Sequence, residues 1–332
     1  MTAKIKSTSR KKYSSIKEVE KQPSNITAHS DWITIGSFDG VHLGHQKILE
    51  TLRNGALKNR VKATAISFYP HPAVVLRDIE APFYITTLEE KNSLLKRFGV
   101  NEIINFTFDK DFSRLSPREF VQLVQERSTF SKLLIGYDFR LGADRAGGQE
   151  ALKEIGRDLG FGVDVISPVL FDHEPISSSR IRQALADGNL ALANAMLGYP
   201  FFISGRVVHG DGRGKHIGLP TANVFPWPKK LIPAPGVYTA FTEIDAVMHL
   251  SVINIGHRPT FYTADAIQTI ETHVLDFSDE IYDKQIGIHF IERLRPELKF
   301  DGVAALMTQI KYDIIKAKEI LSDATKPPNI PA

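Results

Sequence analysis

The strongest constraint on the fold is a glycine-rich turn at residues 36–45, which separates an apolar stretch from a helical pattern. Residues 32–35 are short and apolar, and they predict a buried strand. In residues 48–57 the apolar side chains recur at helical spacing and fall on one face. The stretch therefore predicts a strand, a tight turn and a helix N-terminus, whose exposed N–H groups suit a phosphate.

The side chains of this turn also favour a phosphate. Its glycines let the backbone turn sharply and approach a ligand closely. His42 and His45 are three residues apart, so they share a face if the helix begins there. Each ring can donate a hydrogen bond to a phosphate oxygen, and a protonated ring adds charge. The alternatives are a metal pair completed by Asp39 and a plain turn with surface histidines, and the glycines argue against the metal.

Composition limits the classes of protein that the chain can belong to. A length of 332 residues suggests two domains, and 42% hydrophobic with 24% charged residues is ordinary for a globular protein. The net charge of +3 is too small to indicate nucleic-acid binding. The chain has no cysteine, which excludes disulfides, thiolate catalysis and cysteine zinc sites and fits a reducing compartment.

Residues 1–30 differ from the rest of the chain, because lysines stand among serines and threonines without an apolar core. This pattern argues against a secretory signal and predicts a basic, disordered tail. An organelle transit peptide is the alternative, but lysine rather than arginine dominates and acidic residues interrupt the pattern. No apolar run approaches the length of a membrane span. We therefore expect a cytoplasmic protein that does not bind a membrane.

Apolar runs alternate with helical patterns over the first half of the chain. The pattern predicts an α/β domain with a Rossmann-like parallel sheet and helices on both faces. Ligands of such sheets bind beyond the carboxyl ends of the strands, so functional motifs should follow strands. The predicted strands are 32–35, 63–68, 102–106, 132–135 and 163–166, and the predicted helices are 87–98, 116–126 and 148–159.

Three further motifs follow predicted strands. His71 stands between two prolines in a stiff loop, which could equally be only structural. Asp138 and Arg140 occur in a glycine-containing loop, where they point to a polar ligand. Hydroxyls at 177–179 open a predicted helix near Arg182, which indicates a second anion site rather than a simple cap, because two such sites follow strands of one sheet.

The pattern changes after residue 200, where a helical stretch ends. Short runs at 202–208, 236–242, 249–254, 268–276 and 286–291, separated by turns, predict an antiparallel barrel or sandwich. Residues 303–320 predict a C-terminal helix.

Two motifs of this second half can carry chemistry. Residues 210–218 fail the Walker pattern in glycine spacing and in the required hydroxyl, so they predict a flexible flap over a nucleotide. Thr221 and Asn223 share a face of an extended run, and their oxygens suit Mg²⁺ and phosphate. Glu271 can take a proton from a hydroxyl if it faces a pocket, although a lone glutamate is more often only solvated.

The turn at 36–45 resembles the signature loop of the nucleotidyltransferase superfamily, and Phe38-Asp39-Gly40 ahead of it resembles bacterial FAD synthetases. The set formed by Thr221, Asn223 and Glu271 is similar to that of riboflavin kinases. Together the motifs cover about residues 32–320 in the order found in bifunctional riboflavin kinases/FMN adenylyltransferases. The sequence departs from the family pattern at Leu141, 143–144, Ser179 and Leu219.

The resemblance implies a basic tail at 1–30, an adenylyltransferase domain at 31–187, a helical linker at 188–200 and a kinase domain at 201–322. It implies catalytic roles for His42, His45, Arg182 and Glu271. It implies ATP or flavin contacts in the first domain for Gly36, Ser37, Phe38, Asp39, Gly40, Gly44, His71, Asp138, Arg140, Ser177, Ser178 and Ser179. In the second domain it implies them for Gly210, Gly212, Gly214, Lys215, Gly218, Pro220, Asn223, Asn254 and Arg258, with Thr221 and Asn223 as metal ligands.

The implied activity consumes ATP twice, with Mg²⁺ as cofactor: riboflavin is phosphorylated to FMN, and FMN is adenylylated to FAD with release of pyrophosphate. The partners are then small molecules and not nucleic acid, with a monomer or a homo-oligomer both open. Two alternatives remain, an adenylyltransferase for another phosphate substrate and a flavin-binding regulator without catalysis.

Overall fold

The computed structural model describes residues 30–143, 146–209, 219–258 and 267–323, without the side chains of residues 257, 258, 267, 322 and 323. The described residues form two compact units. The first contains the described part of Met1–Ser37 with Leu52–Arg77 and Asn101–Val165, and the second contains Phe38–Thr51, Asp78–Val100 and the described residues from 166 onward. The predicted basic tail lies outside the described residues, apart from residue 30. The domain boundaries stay a prediction.

A parallel sheet forms the centre of the first unit, as the alternating pattern predicts. Its order is β3-β2-β1-β4-β5, with β1 parallel to both β2 and β4, and β2 parallel to β3. Apolar side chains from the sheet and its helices form one buried cluster, which includes Ile33, Ile66 and Leu133. The strands are β1 (Asp31–Ile35), β2 (Ala63–Tyr69), β3 (Glu102–Thr107), β4 (Phe130–Gly136) and β5 (Gly162–Ile166).

The helices of the first half begin where the sequence places their caps. Ser116 and Glu119 form a capping box at the start of α4, and Thr87 and Glu90 form another at α3. The helices are α1 (Leu43–Asn59), α2 (Pro72–Leu76), α3 (Leu88–Arg97), α4 (Pro117–Arg127) and α5 (Gln149–Leu159), with a 3-10 turn at Phe112–Arg114. None of the described helices combines the length and apolar character needed to cross a membrane.

The second unit contains a closed antiparallel barrel in the order β10-β11-β12-β9-β8-β13. Closure resolves the choice between barrel and sandwich that the sequence leaves open. A hairpin and two helices precede it: β6 (Leu170–Phe171), β7 (Glu174–Pro175), α6 (Ser178–Ala186) and α7 (Leu190–Leu197). The barrel and the C-terminal helix are β8 (Phe202–Val208), β9 (Ala222–Pro226), β10 (Gly236–Ile244), β11 (Val247–Arg258), β12 (Ile267–Val274), β13 (Gln285–Arg295) and α8 (Val303–Asp323).

Candidate active sites

Residues 38–45, here called the histidine turn, follow a strained backbone path into α1. Phe38, Gly40 and Val41 all have positive φ, of 50°, 79° and 32°. A Cβ at Gly40 would lie 2.9 Å from Cγ2 of Ile85, so this position has room only for glycine. Strain of this kind persists where surrounding structure holds it, and it is common at functional sites.

Hydrogen bonds from three separate segments hold the histidine turn. The N–H of Gly40 donates to Oγ1 of Thr86 at 3.1 Å, and its carbonyl accepts from the buried hydroxyl of Tyr199 at 2.5 Å. Ser178, in the first turn of α6, donates to the carbonyl of Asp39 at 2.9 Å. These bonds preorganise the turn, and the hydroxyl of Ser178 is one of the groups that fix it.

The two histidines of the turn stack on each other, with ring centroids 3.7 Å apart and an angle of 18° between the planes. The N–H of His45 donates to Nδ1 of His42 at 3.4 Å, and a Cβ at Gly44 would lie 3.1 Å from the His42 ring. Burial, opposed by the Asp39 carboxylate, lowers the pKa of His42 to about 4. The His42 ring is therefore neutral near pH 7 and carries its proton on Nε2, as a hydrogen-bond donor rather than a charge.

The buried Asp39 and the half-buried Arg182 form an ion pair, with Nη2 of Arg182 2.5 Å from Oδ2 of Asp39. The Asp39 carboxylate also accepts from the N–H of Ile85 at 3.2 Å and from the N–H and hydroxyl of Thr86 at 3.0 and 3.1 Å. Nε of Arg182 donates to the carbonyl of Phe83 at 2.9 Å, and the guanidinium lies 3.8 Å above the Phe83 ring. Asp39 is therefore saturated by protein groups and orients Arg182, a role that the motif alone does not indicate.

The serine-rich segment opens α6 as predicted. Ser177 is the N-cap, and its hydroxyl accepts from the N–H of Arg180 at 3.3 Å. Ser179 is exposed at the first turn of the helix. Arg180 pairs with Glu174 at 3.2 Å and donates to carbonyls of the β6–β7 hairpin, so it is a structural residue. The second unit thus brings together the histidine turn, Arg182 and the α6 N-terminus.

The first unit holds the other residues predicted for the adenylyltransferase site. Gly36 and Ser37 follow β1 directly, and the N–H of Gly36 donates to the carbonyl of Ile66 at 3.0 Å. His71 is the N-cap of α2, where its Nδ1 accepts from the N–H of Ala73 at 3.0 Å. Asp138 and Arg140 are exposed after β4.

The first unit contains an aromatic cavity that no sequence motif indicates. It has a volume of about 480 Å³ and lies beyond the carboxyl ends of β2 and β3. Phenylalanines separated widely in sequence line it, so no local pattern could have indicated it. Its lining includes Phe68, Phe108, Phe112, Phe120, Leu141 and Arg114.

In the barrel, three predicted polar residues occupy one row. Glu271 on β12 lies directly opposite Asn223 on β9 and Asn254 on β11. Paired residues of neighbouring strands point to the same face, so the carboxylate is flanked by two amides. The burial of all three is intermediate.

A second cavity, also of about 480 Å³, lies beside this row between the barrel and α8. Thr221, Asn254 and Glu271 line it, with Leu298, Phe300 and Leu306 among the apolar residues. Glu271 therefore faces a pocket, which is the condition that separates a general base from a solvated glutamate.

Two contacts support the polar edge of this cavity. Nδ1 of His273 lies 2.8 Å from the carbonyl of Pro220, so the ring donates there and fixes the peptide before Thr221. Arg295 on β13 forms a bidentate pair with Asp313 on α8, with distances of 2.8 to 3.2 Å. Neither contact is indicated by a local pattern in the sequence.

Part of the predicted site lies outside the described residues: Gly210, Gly212, Gly214, Lys215 and Gly218 of the glycine-rich flap. The backbone of Arg258 ends β11, and its side chain is likewise not described. In the described ranges no three histidine, aspartate or glutamate side chains cluster closely enough to hold a metal ion.

Comparisons with known proteins match both halves of the chain. The family described as FAD synthetase matches residues 24–180, and the family described as riboflavin kinase matches residues 197–321. The bifunctional riboflavin kinase/FMN adenylyltransferase of Bacillus subtilis (strain 168) is 37% identical over 89% of this chain and 93% of its own length. That of Escherichia coli (strain K12) is 37% identical over 89% of this chain and 94% of its own.

Among solved structures, one named as a macrolide-efflux protein from Streptococcus pneumoniae is 31% identical, with a TM-score of 0.81, and covers 89% of this chain and 96% of its own. The similarity extends to the fold of both halves. Both family matches and the curated relatives lead to one assignment: the chain belongs to the family of bifunctional riboflavin kinases/FMN adenylyltransferases.

Proposed function

We propose that this chain is a transferase that phosphorylates riboflavin with ATP to give FMN, and then adenylylates FMN with a second ATP to give FAD and pyrophosphate. The observation that carries the proposal is that one chain holds two separate sets of fixed polar side chains, each of a kind that one of these reactions needs. One is the histidine turn with Arg182, and the other is the row of Glu271 between two amides.

The adenylyl transfer needs orientation and charge stabilisation more than a base, because the FMN phosphate is already an anion near neutral pH. It attacks the α-phosphorus of ATP, and pyrophosphate leaves. We assign His42 as a neutral donor through Nε2, His45 as its stacked companion, and Arg182 as the cation that stabilises the developing charge. The N–H groups at the start of α6 supply further donors for phosphate oxygens.

The aromatic cavity of the first unit suits a planar aromatic ligand, and we propose an isoalloxazine ring as its occupant. Its volume of about 480 Å³ and its lining of phenylalanines fit a large planar aromatic ligand. Leu141, a departure from the family pattern, lies in this lining, so the substitution keeps the wall apolar. Asp138 and Arg140 are exposed near the end of β4, where they remain proposed contacts for the ligand's polar groups.

Riboflavin phosphorylation needs a base for the ribityl 5′-hydroxyl. Glu271 faces the barrel cavity, and we assign it to take that proton as the oxygen attacks the γ-phosphorus of ATP and ADP leaves. Asn223 and Asn254, on either side of Glu271, can orient hydroxyls and phosphates. The glycine-rich flap at 210–218 and Arg258 remain predictions for nucleotide contacts.

Mg²⁺ is part of the proposal for the kinase site. The donors on offer are the hydroxyl of Thr221 and the amide oxygen of Asn223, which fit a cation that takes oxygen ligands and keeps several waters. The contact between His273 and the carbonyl of Pro220 orients the peptide before Thr221. A bound Mg²⁺ would neutralise charge on the ATP phosphates.

The simplest test is to incubate the purified chain with riboflavin, ATP and Mg²⁺ and to separate the flavins by chromatography. We expect FMN first and FAD later, with one ADP and one pyrophosphate per FAD. ATP consumption without FAD would favour an adenylyltransferase for another phosphate, and flavin binding without ATP consumption would favour a regulator. A cytoplasmic location and the absence of membrane and nucleic-acid partners stay predictions. The oligomeric state stays open.

A further inference from the structure

We propose that Lys230 is a positioning residue for adenylyl transfer at the histidine turn, although it lies in the segment matched by the riboflavin kinase family. The inference rests on the proposed function of that turn. Lys230 lies between β9 and β10, and its side chain is fully buried. Lysines are almost never fully buried unless they are paired, so the partners of this one indicate its role.

The ammonium group of Lys230 contacts the segment that precedes and begins α3. Its Nζ donates to the carbonyl of Ile85 at 2.7 Å and to Oε2 of Glu90 at 2.5 Å. The backbone on either side pairs with the same segment, because the N–H of Tyr84 donates to the carbonyl of Lys229 at 3.0 Å and that of Leu231 to the carbonyl of Tyr84 at 2.8 Å. Residues 83–85 are thus held by the loop that connects β9 and β10 of the barrel.

One peptide group transmits this contact to the histidine turn. The carbonyl of Ile85 and the N–H of Thr86 belong to the same planar unit, so a cation that fixes the carbonyl also fixes the direction of the N–H. That N–H donates to Oδ1 of Asp39 at 3.0 Å. The N–H of Ile85 donates to the other carboxylate oxygen at 3.2 Å.

Asp39 in turn holds Arg182 at 2.5 Å, and the carbonyl of Phe83 in the same segment accepts from Nε of Arg182 at 2.9 Å. Lys230 therefore orients the arginine assigned to the transition state through a chain of hydrogen bonds no longer than 3.2 Å. It does so without touching any residue of the histidine turn. A shift of about 1 Å in such a group can lower a rate about a hundredfold.

The test is the double variant K230M/E90Q in the full chain. It removes both charges together, which avoids leaving a buried carboxylate unpaired. Glutamine at 90 can still complete the capping box by accepting from the N–H of Thr87, although its NH2 group then replaces the oxygen that accepts from the N–H of Ser204 at 3.3 Å. The matched control is K284M/D245N, which removes the charges of an exposed pair in the same unit.

In K230M/E90Q we expect kcat for FMN adenylylation to fall about tenfold or more, with the KM for FMN little changed. Riboflavin phosphorylation should stay close to that of the control, which a general structural defect would not allow. The unfolding midpoint should fall below that of the control, because the carbonyl of Ile85 loses its buried donor. Adenylylation at the control rate, or a parallel loss of both reactions, would overturn the role of Lys230. An unaltered chain that makes no FAD would instead reject the proposed function.

Discussion

At the scale of single residues, the sequence indicates the type of chemistry better than the role of each side chain. The motif predicts Asp39 as a ligand contact, but its carboxylate accepts bonds from Ile85, Thr86 and Arg182. Two of these partners lie more than forty residues away and belong to no motif, so only the folded chain brings them together. Likewise, burial sets the protonation of His42, and sequence spacing cannot reveal burial.

Glu271 offers the sharpest single-residue prediction. In Glu271→Gln we expect FMN formation from riboflavin to fall by about a hundredfold or more, because the neutral amide cannot accept the hydroxyl proton. FAD formation from supplied FMN should be unchanged. The double variant H42A/H45A should show the opposite pattern, measured by flavin chromatography. Equal loss of both reactions in either variant would contradict the assignment of separate sites.

His289 predicts a pH dependence of stability. Burial and the nearby positive charge of Lys230 lower its pKa to about 4, and the ring stacks on Phe202. The unfolded chain takes up a proton near pH 6.5, whereas the folded chain resists until about pH 4. The free energy of unfolding therefore falls as the pH drops through this window, and His42 adds an effect of the same sign.

We expect His289→Phe, which keeps the stack but does not titrate, to flatten this dependence. The measurement is the urea midpoint between pH 7.5 and about pH 5, compared with the unaltered chain. A variant whose midpoint falls as steeply as the original would exclude His289 as a source.

At the scale of elements, local signals predict most of the described structure. The predicted sheet strands and capped helices are present because each carries a strong local pattern, such as the Ser116 capping box. Strand β9 is harder to identify, since it is only five residues long and its sequence indicates just an extended run. The aromatic cavity could not be predicted, because its wall forms only when separate elements meet.

The junction of β13 and α8 yields an element-scale prediction. In Asp313→Asn the half-buried Arg295 loses its bidentate partner. Breaking a fully buried pair typically costs about 3–5 kcal/mol, and the partial exposure of Arg295 lowers the expected cost to about 1–3 kcal/mol. We expect a lower unfolding midpoint and a weakened riboflavin kinase activity, because both residues line the barrel cavity. The control is Asp276→Asn, which removes the exposed ion-pair partner of Lys318, a residue of α8. We expect it to lower the free energy of unfolding by about 0–1 kcal/mol. Similar midpoints for the two variants would contradict the prediction.

At the scale of the whole molecule, the domains predicted from the sequence differ from the compact units that the folded chain forms. The sequence suggests one domain after another, whereas the histidine turn, α3 and α6 belong to the same compact unit as the barrel. A fragment that ends at residue 200 would lack Lys230 and the backbone partners of residues 83–85. We expect such a fragment to form FAD from FMN at most at a small fraction of the full-length rate.

The rate of FAD formation by the fragment is measured by chromatography after incubation with FMN and ATP. Circular dichroism reports whether the fragment folds. A folded fragment with the full rate would show that the barrel is dispensable for adenylyl transfer.

The pairing of residues 83–85 with residues 229–231 has a consequence for protein engineering. A chimera that joins this N-terminal half to a foreign kinase at residue 200 would have to recreate, from the donor, a backbone edge for Tyr84 and a buried ammonium beneath Ile85. A chimera designed only from the domain boundary in an alignment would lose both contacts. A chimera that keeps residues 227–235 of this chain together with its N-terminal half would retain them.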